Sequence, residues 1–170
     1  MNSRERFIKT IFKQHPDRPA VFANFTPQVA EKMSKAMGLP YEGPLDSLLS
    51  TRISHPELLL KLGNDAVGIA ACAPSGNPTH TDENGIITNE WGMRFINKGL
   101  YNEFIDYALS HAETVADIEK YPFPDPYGPG RFDEARKAVN RYGKDYGIIA
   151  DLETSIFETA WYLTGMEKFF

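Results

Sequence analysis

Cysteine is almost missing from this chain of 170 residues: Cys72 stands alone. No internal disulfide can form, and such a composition suits a reducing compartment. Long apolar runs are missing as well. No stretch approaches the ~18 residues that a membrane-spanning helix needs, and the opening MNSRERFIKTIF carries two apolar pairs at helical spacing instead of an unbroken apolar core. Nor is there a Lys/Arg run or stripe. With 18 Lys+Arg against 23 Asp+Glu the net charge is −5, so neither nucleic acid nor an anionic membrane is an expected partner. Internal repeats and long linkers are lacking too, and one domain over residues 1–170 is expected. Together these absences point to a cytoplasmic protein with a small-molecule substrate. What remains, 42% hydrophobic and 24% charged residues, is enough for a core.

Three apolar runs of strand length punctuate the chain: Ala20 to Phe25, Asp65 to Ala71 and Gly147 to Leu152. Helical stretches separate them. Asn2-Ser-Arg-Glu5 reads as a capping box, with Phe7, Ile8, Ile11 and Phe12 on one face of a lead-in helix that His15-Pro16 ends. Thr26-Pro27 opens a second helix that stops at Gly38, and Ser54-His-Pro-Glu57 reads as a capping box for a Leu-rich helix ending at Gly63. Thr114 to Asp117 caps a short helix, YPFPDPYGPG is a connector, and Arg131 to Tyr142 is a polar helix. Ser155-Ile-Phe-Glu158 forms a capping box for the last helix. Between Cys72 and Lys98, a turn-rich loop and two short extended segments around Asn89-Glu90 predict a hairpin-like excursion. Parallel strands require crossovers of this length, so the expected fold is α/β, a partial (β/α)8 TIM barrel comprising the first three βα units with a hairpin-like insertion.

In such folds the chemistry collects at the carboxyl ends of strands, which selects the candidate binding residues. Asn24 and Phe25 close the first strand. Cys72 follows the second, as either a pocket-lining thiol or a small apolar packing residue, and His80 lies in the loop after it. Asp151 and Glu153 follow the third strand, where a carboxylate serves either a cleft or the local turn. Glu158 reads both as a cap and as a binding group. Glu90 and Trp91 would line a pocket if the excursion folds over it; otherwise Trp91 clusters with Phe95 and Tyr101. Trp161 and Tyr162, at helical spacing, read as core. No residue is singled out as catalytic, and no metal ligand set is legible.

The order of SRERFIKTIF, HPDRPAVF, NDAVGIAA, TNEWGMRF, HAETVADIEKYPFPDP and FETAWYLTG resembles the amino-terminal half of the uroporphyrinogen decarboxylase superfamily, which includes cobalamin-dependent methyltransferases. The resemblance implies that the chain supplies the first half of a (β/α)8 barrel with a polar cleft at the strand ends. Decarboxylases of that family carry a Met-Arg-Gln-Ala-Gly-Arg run after the first strand, whose arginines pair with substrate carboxylates. Here the stretch reads Asn24-Phe-Thr-Pro-Gln28, with no arginine until Arg52, and Cys72 stands where an aspartate is expected. The chain is therefore more similar to the methyltransferase-like branch, which passes a methyl group between a corrinoid protein and a thiol held on zinc. The family's His-x-Cys zinc pair does not occur here, so no cofactor is expected within this chain, and zinc is expected only in a complete protein. Porphyrinogen decarboxylation is the alternative reading. A non-catalytic half-barrel whose strand edges are covered by a second copy, a homodimer, is another.

Overall fold

The structure, a computed structural model, describes residues 1–43, 45–47, 50–76, 79–99, 101–152 and 156–170. The chain divides into two compact units, Met1–Cys72 with Phe132–Leu152, and Ala73–Arg131 with Glu153–Phe170.

The first unit opens with α1 (Ser3–Ile11), and its capping box forms as the sequence predicts: the Glu5 amide donates to Asn2 Oδ1 at 2.8 Å and the Asn2 amide to Glu5 Oε2 at 3.2 Å. Ile11 and Phe12, expected on the packed face, are exposed instead. α2 (Pro27–Ala36) starts at Thr26 with proline in its first turn and ends before Gly38, whose φ of 65° suits glycine. Two short strands unforeseen in the sequence, β1 (Leu45–Ser47) and β2 (Ser50–Ile53), pair antiparallel. α3 (Pro56–Lys61) follows and buries Leu58 and Leu59.

β3 (Ala66–Ile69) then pairs in parallel with β8 (Gly147–Ala150), Ala66 facing Gly147 and Ile69 facing Ala150. This is the parallel sheet expected from the sequence, with two strands in place of three. The run Ala20 to Phe25 is a correction. It has no regular secondary structure and joins no ladder among the described residues; the Asp65 amide donates to the Val21 carbonyl at 2.7 Å, and the Asn64 side chain donates to the Ala23 carbonyl at 2.9 Å. The Asp65 main-chain amide and the Asn64 side chain, at the foot of β3, thus take up backbone groups that a regular ladder would otherwise satisfy. Among the described residues there is no closed barrel.

An acid fixes this foot. Asp65 is fully buried and accepts from Arg6 at 2.6 Å, from Arg18 at 2.7 Å and from the Val21 amide at 2.9 Å, while Arg6 also grips Asp17 through two hydrogen bonds. Burial alone would push the Asp65 carboxyl up, but the Val21 amide and the two guanidinium groups hold it below the ordinary carboxylate range. Gly147 has its own packing reason: a Cβ there would collide with the Phe7 ring, so glycine lets α1 lie directly against β8.

In the second unit the excursion is larger than a hairpin. β4 (His80–Thr81), β5 (Ile86–Thr88), β6 (Arg94–Asn97) and β7 (Asn102–Asp106) form an antiparallel sheet in sequence order. α4 (Val115–Glu119) has the predicted Thr114–Asp117 capping box. α5 (Asp133–Tyr142) belongs to the first unit and lies in the crossover between β3 and β8. Later, α6 (Ile156–Thr164) and α7 (Met166–Phe169) return to the second unit, where Phe104 stacks on Tyr162 and Tyr107 and tilts against Trp161. Trp161 and Tyr162, expected as core, are half-buried members of this aromatic cluster. The inserted stretch is closed at its neck. The Ser75 amide donates to the Pro129 carbonyl at 2.9 Å, and Gly130, at φ 84°, leaves space that Ser75 fills.

Candidate functional site

The parallel register of β3 and β8 decides what meets at the strand ends in the first unit. The Asp151 amide donates to the Ile69 carbonyl at 2.8 Å, extending the ladder by one rung past β8. Cys72, half-buried, leaves β3 at this same end, so Cys72 and Asp151 share the carboxyl edge of the sheet. A cavity of about 10 Å³ lies beside Cys72, lined by Gly68 to Ala70 and by Glu134, Ala135 and Ala138 of α5. That is room for about one water. A second cavity of about 40 Å³ sits lower on β3, between Phe22, Asn24, Ser54, Leu59 and Tyr142. Neither approaches the ~300 Å³ of a typical ligand pocket. What the first unit provides at its strand ends is a wall.

Behind the second cavity the side chains are unusually polar for a core. Ser54 and His55 are both buried, and Ser54 Oγ lies within hydrogen-bonding distance of His55 Nδ1. His55 Nε2 has no hydrogen-bond partner among the described residues. The His55 backbone adopts the left-handed conformation, φ 56° and ψ 41°, which is strained for a residue other than glycine. Burial lowers its pKa, favouring the neutral ring. The predicted Ser54–Glu57 capping box is thus a correction: His55 takes the cap position and Ser54 turns to the imidazole. Glu57 instead accepts from the Tyr142 hydroxyl at 2.8 Å and from Arg141, while its amide donates to Glu42 at 3.0 Å. Burial, and then the Glu57 bond, raise the Tyr142 pKa, and burial likewise raises that of Glu42.

No protein-family model, curated protein or solved structure matches the chain. Its chemistry must therefore be read from its own residues. Asn24 lines the second cavity from an exposed position, and Phe25 is half-buried beside it in sequence. In the second unit, His80 is exposed on β4 and Glu158 is half-buried in the first turn of α6. Glu90 is buried against Arg131, whose guanidinium donates to it at 2.8 and 2.6 Å and to the Asp125 carbonyl at 2.8 Å. Trp91 packs edge-on to Phe123, and its carbonyl accepts from the Tyr121 hydroxyl at 2.5 Å. The expected Trp91, Phe95 and Tyr101 cluster is corrected accordingly: Phe95 turns to Phe104 and Tyr101 is exposed. Glu153 and the Ser155 half of the last capping box lie outside the described residues.

Among the described residues no three His, Cys, Asp or Glu side chains are grouped to hold a metal ion. No helix among them is long and apolar enough to cross a membrane. The residues that sequence reasoning missed are Ser54, His55, Tyr142 and the Arg6–Asp65–Arg18 cluster. A signal for the last existed: an aspartate at the mouth of an apolar strand needs a cation.

Proposed function

We propose that this chain is the amino-terminal part of a uroporphyrinogen-decarboxylase-like barrel enzyme of the methyltransferase-like branch, transferring a methyl group between a corrinoid protein and a thiol acceptor. The observation that carries this reading is the parallel β3–β8 pair, which delivers Cys72 and Asp151 to one carboxyl edge. Cys72, Asp151, Asn24 and Phe25 are the candidate binding residues of the first unit, and His80, Glu90, Trp91 and Glu158 those of the second; Glu153 is a candidate by sequence alone.

Decarboxylation of a porphyrinogen is the weaker alternative on charge grounds. A polycarboxylate needs uncommitted guanidinium groups, and Arg6, Arg18, Arg94, Arg131, Arg136 and Arg141 already face carboxylates of the protein. The test is turnover by the complete protein, supplied with zinc, a methylated corrinoid protein and a small thiol. Demethylation of the corrinoid that depends on the thiol supports the reading. Decarboxylation of uroporphyrinogen in its place, or no turnover of either substrate, sinks it.

A further inference from the structure

The turn from β2 into α3 carries features that methyl transfer does not use. Ser54 Oγ lies within hydrogen-bonding distance of His55 Nδ1, and burial holds the imidazole neutral, so near neutral pH it can accept a proton from the serine hydroxyl. The His55 backbone is held in the left-handed region at φ 56°, and its Nε2 is buried without a hydrogen-bond partner among the described residues. Strain and an unsatisfied buried nitrogen both cost stability, and such costs gather where a fold holds a reactive group in place. The Tyr41 ring packs against the imidazole, 5.2 Å away between centroids. Ser54, only 6% exposed, also lines the cavity of about 40 Å³, whose wall includes Leu59 and Val67 and whose exposed members are Phe22 and Asn24. At ~10–15 Å³ for each water-sized group it accommodates about three, the heavy-atom count of an acetyl group. The Tyr142 hydroxyl in the same wall already donates to Glu57, whereas Asn24 brings a carboxamide, a donor suited to an oxyanion.

We propose that Ser54 is a nucleophile for small acyl groups, with His55 as its base and acetyl esters as the substrate class. In the tautomer with the ring proton on Nε2, the Ser54 hydroxyl donates to Nδ1. Oγ attacks the ester carbonyl carbon, a new C–O bond forms, and the hydroxyl proton passes to Nδ1. The tetrahedral adduct then collapses, its bond to the alcohol oxygen breaks, and that oxygen leaves with the proton from Nδ1. Water next attacks the acyl-serine, giving its proton to the same nitrogen. Acetic acid departs, and the proton returns to Oγ as the acyl–Oγ bond breaks. The net reaction is ester hydrolysis. This inference goes beyond the methyl-transfer reading and does not depend on it.

The test treats the 170-residue chain with p-nitrophenyl acetate, follows nitrophenolate release, and locates the acetyl group by peptide mass mapping. The expected result is a burst followed by slow turnover, with the acetyl group on Ser54, because an imidazole whose Nε2 lacks a partner is a weak base for deacylation. The burst rate should decline as pH falls below about 6.5, where His55 begins to protonate on the way to its lowered folded pKa. p-Nitrophenyl butyrate, two methylenes too long for the cavity, should label at least on the order of tenfold more slowly. Ser54→Ala should abolish labelling at this position, and His55→Gln should slow it on the order of a hundredfold. Should Ser54→Ala fail to fold, Ser54→Cys replaces it and should be acylated faster than the parent, a thiol being the stronger nucleophile. Acetyl groups on lysines or Cys72 alone overturn the proposal. So does a Ser54 labelling rate indifferent to acyl length or to His55→Gln.

Discussion

Replacing Asp65 by alanine tests the energetics of the first unit most directly. Its carboxylate is fully buried and satisfies Arg6, Arg18 and the Val21 amide at once. Removing one partner of a buried charge pair costs about 3–5 kcal/mol, and an orphaned buried amide about 1–3 kcal/mol. Two features reduce the loss: Arg6 retains Asp17, and the Arg18 side chain is 45% exposed, so water can take over part of its charge. The sum is about 4 kcal/mol. At about 2–4 °C per kcal/mol for a chain of this size, the melting temperature should fall by roughly 8–16 °C. The assay is thermal unfolding followed by far-ultraviolet circular dichroism, with tryptophan fluorescence beside it. Both tryptophans, Trp91 and Trp161, lie in the second unit and report on it separately. A shift of under about 2 °C would show that solvent had already compensated the charges and would refute the reasoning. Asp65→Asn, which keeps an acceptor for Val21, should fall between.

Acid should act through the same carboxylate. The folded pKa values of Asp65 and Asp17 are depressed, so the stability they contribute is present above the unfolded carboxylate range and is lost as pH falls from about 4 toward the folded values; acid titration of ellipticity checks this. His55 also titrates low in the fold, so the unfolded chain takes up its proton first. Stability should decline below about pH 6.5, and His55→Gln should remove that part of the profile in urea titrations. Gly147→Ala forces a methyl into the Phe7 ring and should cost about 1–3 kcal/mol, recovered in part by Phe7→Leu and read from urea midpoints. Arg131→Ala leaves Glu90 buried without its cation and should cost about 3–5 kcal/mol, with Trp91 fluorescence as the probe.

The sequence made local features legible. The Asn2–Glu5 and Thr114–Asp117 boxes form because all their hydrogen-bonding partners lie within one helical turn. Ser54–Glu57 has a comparable pattern but fails, since Tyr142 and Arg141, distant in sequence, compete for Glu57 and His55 competes for Ser54. Apolar runs located β3 and β8, yet Ala20 to Phe25, where Val21 and Phe22 are exposed, shows that an apolar run of strand length need not join a ladder. The four-stranded sheet was only half visible because His80–Thr81 and Asn102–Asp106 alternate too weakly to stand out. For the candidate residues, position along a strand gave the end at which Cys72 and Asp151 emerge. It could not give the Arg131 partner of Glu90, which lies across the inserted stretch.

The neck between Ser75 and Pro129 bears on how the chain can fold at all. β3 must wait for β8, which follows it by nearly 80 residues of chain. The β4 to β7 sheet is built from neighbours in sequence and can assemble while the rest is still being synthesised. Once Ser75 meets Pro129, the stretch between them no longer counts as loose loop, and only some two dozen residues still separate the pairing strands. The closure penalty for the parallel pair then drops by about 1 kcal/mol. The insertion thereby serves as a staple, converting a slow long-range encounter into a short-range one, and a brief turn joining Ser75 to Pro129 should serve the first unit equally well.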